Sequence, residues 1–187
     1  MKNKITYGFT LIELMVAIGL FASIMTIAAS AYLTMIRVSQ QAQAISTGID
    51  NVSFALESMT RDIRSGSAYG CGQTPGINCP YLSGGGGGGG EFTFTDANGN
   101  AITYKLASGS IQEQKGISPT WVSLTDPSVT ITSLVFYVSG VGSYSTTGDT
   151  QQPYVTIIVS GSVPSSPGRA PQPFTVESSA AWRGSDI

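Results

Sequence analysis

Between Phe9 and Ile36 a single residue, Glu13, carries a charge, and it lies inside an otherwise apolar run. A carboxylate placed there costs roughly 3 kcal/mol on membrane-insertion scales, so it calls for a partner. Hydrolysis of the Gly8–Phe9 peptide would create one. Phe9 would gain a free α-ammonium, and Glu13 would lie one helical turn behind it. The ammonium of a neighbouring helix would serve equally well. In an apolar medium that pairing would set the axial register between helices, because an offset leaves both charges unpaired. Gly8 suits a cut site, since a residue without Cβ lets extended backbone enter a peptidase.

Elsewhere the reactive side chains are few. The chain has no His, which removes the commonest general base and transition-metal ligand. Glu91, Asp96, Glu113 and Asp126 form no recognisable catalytic pair, so no catalytic residue, metal site or cofactor is expected and the chain does not read as an enzyme. Cys71 and Cys79 are the only cysteines. A disulfide between them is the expectation if the domain is exported; two free thiols are the alternative. Asp96-x-Asn98-x-Asn100 has the alternation of a calcium loop but lacks the distal Glu, and a hairpin turn accounts for the same residues. The glycine run Gly84–Gly90 reads as a linker, because no Lys-Ser/Thr follows to make a phosphate loop. With 11% charged residues, a net charge of −2 and no basic patch, nucleic acid is not an evident partner.

The elements that must position these groups begin with a helix. Phe9 to Leu33 gives about 25 residues, or ~37 Å of helix, enough to cross a hydrocarbon core. Lys2 and Lys4 ahead of it hold that end in the cytoplasm and send the remainder across. A secretory signal cut after Ala29-Ser30-Ala31, or an uncut anchor, competes with cleavage at Gly8. Beyond the span Ile45, Ile49, Val52, Leu56, Met59 and Ile63 step by three and four, which makes an apolar helical stripe ending near Gly66 with Ser65-Gly66-Ser67 as its cap. Glu57 and Arg61 stand at i, i+4. The stripe predicts a spine for a sheet rather than a coiled-coil seam.

Period-two alternation follows the linker. Glu91–Thr95 and Ala101–Leu106 predict a hairpin about Asn98-Gly99, with further strands near 110–114, 121–124, 129–138, 154–162 and 174–182. The expected fold is α+β: a long N-terminal transmembrane-plus-amphipathic helix packed on one antiparallel sheet of four to six strands. Trp121 and Trp182 are expected in core or rim packing, and Tyr69, Tyr81, Tyr137 and Tyr144 on the surface. The chain divides into a leader (1–8), a membrane or filament-core helix (9–36), its amphipathic outer half (37–65), a Cys- and Gly-containing loop (66–90) and a β domain (91–187).

The run Gly8-Phe9-Thr10-Leu11-Ile12-Glu13 behind a short Lys-bearing leader resembles the processing site of type IV prepilins and type II secretion pseudopilins. That resemblance implies cleavage after Gly8, N-methylation of Phe9 and an assembly and register role for Glu13. It implies as partners a prepilin peptidase/methyltransferase, other pilin or pseudopilin subunits, an inner-membrane assembly platform and, before assembly, inner-membrane lipid. It places the chain as a single-pass inner-membrane protein with its β domain outside the cytoplasm. Phe54–Arg64, Trp121–Tyr137 and Phe174–Arg183 more loosely resemble J-type minor pseudopilins, and the Pro-free helix agrees with a minor subunit that initiates or caps a filament. The alternative is a ligand-binding minor pilin for adhesion or DNA uptake.

Overall fold

The computed structural model describes residues 8–72, 90–116, 118, 120–141, 151–164 and 170–182. Residues 1–7, Cys79, Tyr81, Tyr144 and glycines 84–89 lie outside the described residues. The chain forms two compact units that meet between Gln43 and Ala44. The helix α1, Leu11–Ser65, belongs to both.

In the first unit, residues 14–36 of α1 carry no charged side chain. Its most apolar 18-residue window has mean hydropathy 2.2 and none of it is buried, so the helix is long and apolar enough to cross a membrane. Four of the hydroxyls within it cause no conflict with an apolar medium. Ser23, Thr26, Ser30 and Thr34 donate to the carbonyls of Gly19, Ala22, Ile27 and Ser30 at 2.8–3.0 Å, so each is satisfied inside its own helix.

In the second unit the outer part of α1 supplies a spine. Val52, Leu56, Met59 and Ile63 are buried in one core with the strands, as their spacing predicts. The inward face is turned slightly from the expected one: Ile49 is 38% exposed, while Gly48 is buried. Gly48 is there for want of room, because a Cβ at that position would run into the Val163 side chain. The Glu57–Arg61 ion pair forms at 3.3 Å but is exposed, so its contribution is small.

Among the described residues eight antiparallel strands follow: β1 Ser67–Cys71, β2 Glu91–Thr95, β3 Ala101–Ala107, β4 Ser110–Lys115, β5 Val122–Ser123, β6 Thr130–Ser139, β7 Tyr154–Val163 and β8 Gln172–Ala181. The expected α+β fold is present, but the single sheet is not. The strands form a five-stranded sheet, β1-β2-β3-β4-β5, and a separate three-stranded sheet, β6-β7-β8. Their apolar faces share the core. Phe92 of β2 stacks on Phe136 of β6 with centroids 5.0 Å apart, and Tyr69 and Phe94 extend the aromatic cluster.

The expected loop at 66–90 is corrected at its start, where β1 pairs with β2. Ser-Ala-Tyr-Gly-Cys lacks alternation because a bulge interrupts the register between Ser67 and Gly70, with Ala68 in the left-handed region (φ 54°). The left-handed residue is therefore Ala68, not Gly66. Gly66 is required for another reason: a Cβ there would strike the Phe94 ring. Tyr69 is likewise buried rather than on the surface. Its hydroxyl donates to the Ile63 carbonyl at 2.6 Å, with the Gly66 carbonyl 2.7 Å away, and so satisfies the end of α1. Burial pushes the Tyr69 phenol well above its usual range.

The β2–β3 hairpin closes over Asp96–Asn100, with Gly99 at φ 84°. Asp96 is the organiser of the turn. Its carboxylate accepts the backbone N–H groups of Asn98 and Asn100, both at 2.8 Å, and the Asn100 side-chain amide at 3.3 Å. The Asn100 backbone donor, with those beside it, holds the carboxyl below the ordinary aspartate value. A depressed folded-state value contributes stability that is complete above the unfolded value, about pH 4, and is lost as pH falls through the folded one. Asp96→Ala is therefore expected to lower Tm near neutral pH, and the gap to wild type should close in more acid buffer. Thermal melts across that range check this; a gap that stays constant with pH would show that the charge is irrelevant. The β3–β4 hairpin has a two-residue Ser108-Gly109 turn, both at positive φ, between Ala107 and Ser110.

Candidate functional site

The site is the start of α1. Gly8 and Phe9 precede the helix in irregular backbone, and both are exposed, Phe9 to 84%. Among the described residues nothing lies within 4 Å of where a Gly8 Cβ would stand, so none of them crowds the Gly8–Phe9 peptide. The helical ladder begins one residue later, with the Leu14 N–H donating to the Thr10 carbonyl at 3.1 Å.

Thr10 has a role that the cleavage motif does not give it. Its Oγ1 accepts the Glu13 N–H at 3.3 Å, which makes it the N-cap of α1. The signal is present in the sequence: Thr10-x-x-Glu13 ahead of an apolar run is the capping-box pattern. The same arrangement puts Glu13 in the first turn, where a carboxylate is favoured by the helix dipole. Around it Leu11, Ile12, Leu14, Met15 and Val16 are all more than half exposed, an apolar surface that in water would be untenable. Among the described residues nothing pairs with the Glu13 carboxylate.

The other residues singled out from the sequence lie apart from this site. Cys71 closes β1, with its Sγ 3.9 Å from the Phe136 carbonyl oxygen. Its expected partner, Cys79, is outside the described residues. Asp96 is occupied by its own turn, and among the described residues no group of three His, Cys, Asp or Glu side chains is placed to hold a metal. Trp182 packs against the core, and Trp121 carries the Lys105 ammonium 3.5 Å from its ring centre.

One polar cluster has no counterpart in any sequence pattern. The buried Tyr104 hydroxyl lies 3.2 Å from both the Glu113 and the Asp62 carboxylates. Lys115 stands 3.2 Å from Glu113 and 3.8 Å from Asp62. One hydroxyl proton serves one carboxylate at a time, so the ammonium compensates the second. Burial first, then the two carboxylates, pushes the Tyr104 phenol far above its usual range. The phenol stays protonated, and the cluster ties the last turns of α1 to β3 and β4.

Comparison with known families agrees with the geometry at the N-terminus. Residues 4–29 match the prokaryotic N-terminal methylation motif, the signal of type IV pilin-like proteins that are processed by prepilin peptidase. The matched segment contains Gly8, Phe9, Thr10 and Glu13. No curated protein and no solved structure matches the chain.

Proposed function

We propose that this protein is a structural subunit of a type IV pilus or type II secretion pseudopilus, made as a prepilin and anchored in the inner membrane by α1 until it is assembled. One observation carries the reading. An open, non-helical Gly8–Phe9 bond stands directly ahead of a capped, wholly exposed apolar segment whose sole charge is Glu13. Cleavage there removes the leader and frees the Phe9 amine for methylation, while Glu13 serves extraction and register. Lys2 and Lys4 keep the leader in the cytoplasm, and the β domain is exported. Export favours a Cys71–Cys79 disulfide, which would brace the segment following β1.

Within that class the subunit is a minor one, at the initiating or capping end of the filament. A Pro-free α1 and the likeness of Phe54–Arg64, Trp121–Tyr137 and Phe174–Arg183 to J-type minor pseudopilins support this. Its partners would be prepilin peptidase/methyltransferase, sister subunits and the assembly platform. The intact mass and N-terminal sequence of the membrane-extracted protein test the reading. The expected chain starts at Phe9 and is one methyl group heavier than its sequence. A chain starting at Ala31 or Tyr32 would mean ordinary signal cleavage and would sink the proposal.

A further inference from the structure

We propose that Thr10 is a positioning residue for leader removal, which fixes the start of α1 so that the Gly8–Phe9 peptide stays out of the helix. The inference rests on cleavage at that bond, as proposed above. Hydrolysis adds water across the amide: the C–N bond breaks, Gly8 leaves as a carboxylate and Phe9 as an amine. A peptide bond flanked by helical residues is a poor substrate, because its backbone cannot lie extended in an active site.

The geometry shows what keeps the ladder from running back over the bond. In a helix one residue longer, the Glu13 N–H would donate to the Phe9 carbonyl, following the i→i−4 rule. Here that N–H is taken by Thr10 Oγ1 at 3.3 Å, and the first i→i−4 bond is the next one along, from Leu14 to Thr10. The cap thus competes directly for the one donor that would recruit Phe9. In an apolar medium the competition is sharp, because a backbone N–H without water must find some protein acceptor. Removing Oγ1 frees the donor for the Phe9 carbonyl, one peptide beyond the scissile bond, and lets the helix advance by one residue to the edge of the cut. Gly8, a weak helix former, acts in the same direction as the cap.

The test uses the full-length chain in detergent micelles with a purified prepilin peptidase, following leader loss by mass. Thr10→Val keeps the shape and deletes the acceptor; Thr10→Ser and Thr10→Asn keep a capping oxygen. If the cap sets the fraction of chains in the cuttable form, Thr10→Val raises KM about fivefold with kcat nearly unchanged, and both Ser and Asn restore it. Backbone chemical shifts of Gly8 and Phe9 should move toward helical values in Thr10→Val alone. Wild-type KM for Thr10→Val overturns the proposal. So does a fall in kcat that Ser rescues and Asn does not, which would mark a direct contact between hydroxyl and peptidase. Failure of the wild-type chain to be cut between Gly8 and Phe9 refutes instead the functional reading beneath it.

Discussion

Glu13→Ala is expected to be cut and methylated like the wild type yet to enter filaments at least tenfold less well. The cut lies on the other side of Thr10, and the cap uses the backbone N–H of residue 13, which alanine retains. What is lost is the carboxylate, the one charge in an apolar segment that has no pairing partner among the described residues of its own chain. After cleavage the nearest complementary charge is a Phe9 α-ammonium, on this chain or its neighbour. A tenfold loss corresponds to about 1.4 kcal/mol, well below the few kcal/mol that separate a paired from an unpaired charge in lipid. The substitution also removes the cost of keeping a carboxylate in the membrane, so the processed subunit should accumulate there. Fractionating sheared filaments from membranes, with mass analysis of both pools, measures this. Wild-type incorporation of Glu13→Ala would end the assigned role, and a block in cleavage would move that role to processing.

Phe92→Ala should have the largest effect on the second unit, with a loss of about 3–5 kcal/mol. Phe92 is fully buried at the centre of the aromatic cluster, with ring centroids 6.1 Å from Tyr69, 5.6 Å from Phe94 and 5.0 Å from Phe136. Its removal empties the seam between the two sheets and costs both apolar burial and ring–ring contact. A small domain holds about 5–15 kcal/mol in all, so such a loss reaches a large part of it. Phe54→Ala is the control: Phe54 is 73% exposed, and its loss should change stability by about 0.5 kcal/mol or less. Urea titration of the full-length variants in micelles, followed by Trp fluorescence, gives both numbers. Equal midpoints for the two would mean that the aromatic seam does not join the sheets.

Most of the N-terminal site is legible in the sequence, because its chemistry lies in consecutive residues. One charge in an apolar run, a glycine before an aromatic residue and basic residues ahead of both are local facts. The helix end and most strands are legible for the same reason, since periodicity is local. β1 is hidden because its bulge breaks alternation, and because Tyr69 serves as a cap for α1 rather than as a surface residue. Thr10 carries a capping-box signal, but it sits inside the cleavage motif, whose stronger pattern masks it.

The sequence alone thus determined a membrane-competent helix with a single charge near its start, an N-terminal methylation motif spanning that start and an antiparallel β domain behind it. Hydropathy, charge and turn chemistry act over a few residues and need no partner. The tertiary structure decided what depends on residues far apart in the chain. It divided the strands into two sheets, whose Phe92 and Phe136 meet across the core. It turned Gly48 rather than Ile49 inward, because Val163 occupies that space. It gathered Asp62, Tyr104, Glu113 and Lys115 into one polar cluster. Steric fit and charge compensation across the core exist only once the chain has folded, so no local pattern announces them.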